Sequence, residues 1–234
     1  MKNNQILEIA FFAQDRGQIY KIHNKLNPDQ KKKYSKSPLW DLRFSISKKL
    51  SLIKVVVDET NLEMDKINKI LKREKEVVDV CLKRNKGMFF SEIHRIYRIL
   101  AYVETNLIEM ISVTQLLIKF ISYFYIHIFG ERKSETDIVK DLKNKGIDMN
   151  WKDELYFLRR GLVHHYSGWI SFKKKNDIFQ LVFSLPKSVK KMKNYKKYQY
   201  DRLDTEKLNE IIGHFSKFMK DVNKYLIDKI EKSS

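Results

Sequence analysis

"MISVTQLLIKFISYFYIHIFG", residues 110–130, is the most apolar stretch of a 234-residue chain. It is nearly long enough to cross a bilayer, so it belongs either to a membrane or to a protein core. Lys119 stands near its centre, and Glu109 and Glu131 flank it. Ser112, Thr114, Gln115, Ser122 and His127 add polar groups along its length. A lysine in the middle of a span costs about 2.5–3.5 kcal/mol on insertion. The stretch therefore reads as the second half of a buried helix covering 89–129, with no membrane involved. Gly130 is placed to end it.

A helix that apolar needs amphipathic partners, and the rest of the chain supplies them. Seven glycines and three prolines leave few breakers, and 43% of the residues are hydrophobic, enough for a sizeable core. Apolar residues at three- and four-residue spacings predict helices over 4–26, 39–57 and 60–85. Asn27-Pro28-Asp29 breaks the first, and 31–38 reads as a loop or a short solvated helix. A helix is expected over 134–145, with Ser134 as N-cap and Asp137 in its first turn. Gly146 stops it, and another helix follows over 151–166. The period then changes. Trp169–Phe172 and Ile178–Phe183 flank Lys174-Lys175-Asn176-Asp177 and predict a β-hairpin over about 169–184, closed by Pro186. Residues 187–201 read as a basic, tyrosine-rich loop, and a final helix covers 205–230. No repeat and no Pro/Gly/Ser-rich linker divides the chain. The expectation is one mainly all-α domain over 1–234, a bundle of long helices with one small hairpin insert.

The formal charge is +18, which draws polyanions such as RNA, DNA or an anionic membrane surface. Lysine, asparagine and isoleucine are also favoured by AT-rich coding, so the distribution of charge says more than its total. Residues 173–198 hold nine lysines against Asp177 alone, a net +8 (9 − 1). Tyr195, Tyr198 and Tyr200 interleave with them, a pattern suited to single-stranded RNA: phosphates on lysine, bases on tyrosine. A solvated lysine loop is the competing reading. The sole cysteine, Cys81, excludes an internal disulfide and fits a reducing cytoplasm. The first residues contain Glu8 and Asp15 and do not read as a signal peptide. No Gly-x-Gly or Gly-Lys-Ser/Thr cradles a phosphate, and no Gly-x-Ser-x-Gly forms a hydrolase elbow. His23, His94, His127 and His214 are scattered, so no metal or cofactor is expected.

The chemistry is concentrated in "FLRRGLVHHYSGWISF", residues 157–172. Arg159 and His164 are five apart, as are Arg160 and His165, and five helical residues turn about 140°. Arg160 and His164 do share a face. One helix makes a poor pocket from these groups, and a second copy facing it makes a good one. Arginine offers phosphate a planar, permanently charged fork. Histidine can take a proton from a 2′-hydroxyl or give one to a leaving 5′-oxygen. Tyr166 can donate a hydrogen bond or stack on a base.

Arg159 to Tyr166 resembles the R-polar-x3-H signature of the HEPN superfamily, in its longer R-x4-H-x-Y form. Arg159 matches the family arginine, His164 the histidine and Tyr166 the tyrosine. Arg160 stands where the family has Asn, Asp or His, so the polar helper is replaced by a second cation, and His165 is extra. The resemblance implies a helical bundle that dimerises to form a composite site. It also implies metal-independent RNA cleavage in toxin–antitoxin or antiviral-defence systems, with an antitoxin or defence partner protein. The motif covers eight residues and its helical setting about 90–232; residues 1–85 lie outside it. Two function classes follow. One is a homodimeric, cytoplasmic endoribonuclease with Arg159, Arg160, His164 and Tyr166 at the site. The other is a non-catalytic RNA-binding or assembly subunit. In both, RNA is held by Lys173, Lys174, Lys175, Lys187, Lys190, Lys191, Lys193, Lys196 and Lys197.

Overall fold

With so few breakers, most of the described backbone is helical. The computed structural model describes residues 18–74, 76, 93–164, 169–175, 178–186 and 200–233, with side chains described over 21–74, 76, 94–159 and 206–233. The helices are Gln18–Lys25 (α1), Pro28–Ser35 (α2), Leu39–Arg73 (α3), Ile93–Phe124 (α4), Glu135–Asn144 (α5), Asn150–His164 (α6) and Thr205–Glu231 (α7). The fold is mainly α-helical, as the periodicity predicts.

Asn27-Pro28-Asp29 separates α1 from α2, as expected, and the short helix allowed over 31–38 is α2, which Pro28 begins. Asn27 caps α2 through a reciprocal pair: its Oδ1 accepts from the Gln30 N–H at 2.9 Å, and its own N–H donates to Gln30 Oε1 at 3.1 Å. The two helices expected over 39–57 and 60–85 are one 35-residue helix as far as Arg73. Asp58-Glu59-Thr60 does not break it, because none lacks an amide hydrogen or needs a positive φ. Buried Thr60 instead returns its hydroxyl to the Val56 carbonyl at 2.7 Å. Trp169–Lys175 (β1) and Ile178–Pro186 (β2) pair antiparallel, Trp169 opposite Ser184, and a further, unexpected strand joins them. Tyr200–Asp204 (β3) pairs antiparallel with β2, so part of the expected loop is strand and the sheet has three strands in the order β1-β2-β3. Alternation was too short there to register over five residues.

The chain forms two compact units. The first comprises Val56–Leu107 and Leu155–Glu210, the second Lys2–Val55, Ile108–Glu154 and Ile211–Ser234. Helices α3, α4, α6 and α7 each contribute residues to both.

In the second unit, α4 supplies Met110, Val113, Leu117, Phe120, Ile121 and Phe124 to the core. Spacings of three and four put these on one face, while Gln115 and Lys119 stay exposed. By length and composition His94–Phe129 is long enough to cross a membrane, and 56% of its most apolar window is buried inside the protein. The flanking Glu109 accepts from Lys49 of α3 at 2.7 Å. Tyr34 packs edge-on to Phe120, and Trp151 packs against Phe215 and Phe218 of α7. The end of α4 widens into a π-turn, Tyr125–Phe129. Gly130 closes it at φ 71°, a left-handed conformation that glycine adopts without strain.

In the first unit, Val57, Ile67 and Leu71 of α3 and Ile99, Val103 and Leu107 of α4 are buried. Glu63 is 1% exposed there and is surrounded by three cations. Its carboxylate accepts from Lys66 at 2.7 Å, Arg95 at 2.9 Å and Arg98 at 3.3 Å.

Candidate active site

The helix that carries the Arg-His motif is anchored at its start. Asp148 Oδ1 accepts the Asn150 N–H at 2.9 Å, and the Trp151 indole donates to the Asp148 carbonyl at 3.1 Å. Trp151, Leu155 and Leu158 are buried at four- and three-residue spacings, so one stripe of α6 faces a core. Arg159 follows directly. Its side chain is half-buried, and its Nε is buried with no hydrogen-bond partner among the described residues. A buried donor left unmatched costs about 1–3 kcal/mol, so this position favours an acceptor such as a phosphate oxygen.

α6 remains helical through Gly161 to His164. The backbone therefore places Arg159 and His164 about 140° apart around the axis and about 7.5 Å apart along it. Arg160 and His164 lie on one face, four residues apart. The helix does not bring Arg159 and His164 to a common face. The side chains of Arg160 and His164 lie outside the described residues, as do His165 and Tyr166 entirely. Lys173, Lys174 and Lys175 lie on β1, with backbone described and side chains not. Lys187, Lys190, Lys191, Lys193, Lys196 and Lys197 lie outside the described residues. So does Cys81.

The remaining histidines are dispersed. His23 packs edge-on to Tyr34, and burial is the main influence holding its pKa below the ordinary value. His127 lies against Tyr123, and His214 Nδ1 is 4.0 Å from Asp148 Oδ2. Among the described residues no three His, Cys, Asp or Glu side chains are grouped to hold a metal ion.

One feature carried no sequence signal. Tyr125 at the start of the π-turn and Tyr225 on α7 share a hydroxyl–hydroxyl hydrogen bond of 2.5 Å inside a lysine-lined cavity. A hundred residues separate them, so only the folded chain brings them together. Compared with protein-family models, curated proteins and solved structures, the chain matches none.

Proposed function

We propose that this chain is a metal-independent endoribonuclease of HEPN type, acting as a toxin or antiviral-defence effector in the cytoplasm. The observation that carries the reading is Arg159: a guanidinium whose Nε is buried without an acceptor among the described residues, five helical residues before His164. The 140° offset favours a twofold homodimer in which motifs from two copies face one phosphodiester. An antitoxin or defence partner protein would control that assembly.

In this reading the RNA 2′-oxygen attacks the adjacent phosphorus and the bond to the 5′-oxygen breaks. His164 moves the proton, from the 2′-hydroxyl or to the leaving 5′-oxygen. Arg159 stabilises the charge gathering on the phosphorane oxygens. Arg160 and Tyr166 orient the phosphate and a neighbouring base. Lys173, Lys174 and Lys175, with the lysines over 187–197, hold the strand. The products carry a 2′,3′-cyclic phosphate and a 5′-hydroxyl, and DNA survives because it lacks the attacking group.

The test is purified protein with total RNA in EDTA, beside His164→Ala and Arg159→Ala. Cleavage is expected to fall by about 10²–10⁴ in the first and about 10²–10³ in the second, with RNA binding largely kept. A 5′-phosphate product, EDTA-sensitive cleavage or a fully active His164→Ala protein rejects the proposal. Arg160, in place of the family's polar residue, favours one alternative: a HEPN-like RNA-binding or assembly subunit that binds RNA and leaves it intact.

A further inference from the structure

We propose that the cavity lined by Tyr125, Tyr225 and four lysines binds a small phosphate ester that also carries hydroxyl groups, such as a sugar phosphate or a mononucleotide. The cavity has a volume of about 440 Å³ and lies wholly within the second unit. That size suits a single small molecule.

Its cations are arranged for an anion. Lys133 Nζ stands 4.6 Å from the centre of the Tyr125 ring and Lys229 Nζ 5.5 Å from it. Both ammonium groups lie against one ring, so a single anion can reach both charges. Lys133 is ion-paired with Asp141, and Lys229 lies 3.8 Å from Glu131. Lys145 and Lys232 also line the cavity, are exposed, and have no ion pair among the described residues. Lysine binds phosphate as a mobile point charge, without the fixed fork of arginine, so the site fits a terminal phosphate presented from several directions.

The tyrosine pair adds a donor. Two hydroxyls bonded to each other use one of their two hydrogens, and the other is left to donate. Burial pushes both phenols above the ordinary tyrosine range, so both keep their protons at neutral pH. Tyr125 is 1% exposed and opens the π-turn, whose frame is held by Gly130 and Glu131 N–H groups donating to its carbonyl. Single π-turns within helices recur at functional sites.

Asp228 and Asn144 also line the cavity. With Asp141 engaged by Lys133, the Asp228 carboxylate is available as an acceptor for ligand hydroxyls. The site is thus suited to a small ligand with one phosphate and a hydroxylated body.

The full-length protein is titrated by calorimetry with ribose 5-phosphate, adenosine monophosphate and inorganic phosphate. At least one ester is expected to bind with Kd below about 1 mM, and more tightly than inorganic phosphate. Lys145→Ala/Lys232→Ala, both exposed positions, should weaken it by about tenfold or more. Tyr225→Phe should weaken it measurably while thermal unfolding shows an intact fold. The two ester arms show whether a base adds to the sugar phosphate. His164→Ala should bind as tightly as the parent, which separates this site from the proposed RNA site. No binding of either ester, affinity for inorganic phosphate equal to theirs, unchanged affinity in the lysine double variant, or loss of binding in His164→Ala overturns the proposal.

Discussion

Arg159 and Glu63 are charged groups in opposite circumstances. Glu63 is buried with three cations on it, whereas the buried Nε of Arg159 has no acceptor among the described residues. An unmatched buried donor costs stability rather than adding to it, so Arg159→Ala should not lower the unfolding free energy by more than about 1 kcal/mol while RNA cleavage is lost. Arg159→Lys keeps the charge and loses the fork, so it should restore little activity. Glu63→Ala removes the anion that three cations share and should destabilise the fold by about 3 kcal/mol in urea unfolding. The Lys66 hydrogen bond, followed by Arg95, holds the Glu63 carboxyl below its ordinary value of 4.5. A depressed pKa means that this stability is present above about pH 4.5 and is lost as pH falls through the folded value. Unfolding free energy measured from pH 7 to pH 3 should drop, and the drop should be smaller in Glu63→Gln.

Caps and turns set the element boundaries. Ser134 accepts the Asp137 N–H at 3.2 Å, and Asp137 accepts the Ser134 N–H at 3.3 Å, so α5 begins with both donors satisfied. Ser134→Ala should cost about 1 kcal/mol in thermal or urea unfolding. A side chain at Gly130 meets no steric obstacle, but φ 71° strains it, so Gly130→Ala should cost about 1–2 kcal/mol despite the open space. The lysine-rich stretch belongs to the same level. Neutralising Lys190, Lys191, Lys193, Lys196 and Lys197 should flatten the salt dependence of RNA binding. The log–log slope should fall by about 0.7 for each phosphate that the variant no longer neutralises. Filter binding from low to high salt reads that slope, and an unchanged slope marks the run as solvated surface only.

For the whole molecule, the proposed composite site ties activity to assembly. Solution mass by light scattering should correspond to two chains, and specific activity should fall on dilution below the dimer dissociation constant. Mixing parent protein with an excess of His164→Ala should lower activity per parent chain, because a mixed pair holds one complete motif. A monomeric mass with undiminished activity on dilution removes the dimer from the proposal. The 28.2 kDa chain makes the one- and two-chain masses easy to separate.

Helical character was legible in the sequence wherever a three- and four-residue apolar stripe ran for several turns. Met110 to Phe124 is the clearest case, and Gly130, Ser134 and Gly146 mark ends because cap chemistry is local. The continuity of α3 across Asp58-Glu59-Thr60 was not legible. Propensity there is nearly neutral, and packing of Val56, Val57 and Thr60 into the interior decides it. β3 was hidden for a related reason, since five residues of strand are defined by their partner β2 more than by their own pattern. The Arg159–His164 spacing could be read directly, but the burial of Arg159 Nε could not, because burial depends on what packs around α6. The Tyr125–Tyr225 cavity lies furthest from the sequence. Its two hydroxyls and its lysines come from the π-turn, the residues flanking α5 and the end of α7, and only tertiary packing gives them a common environment.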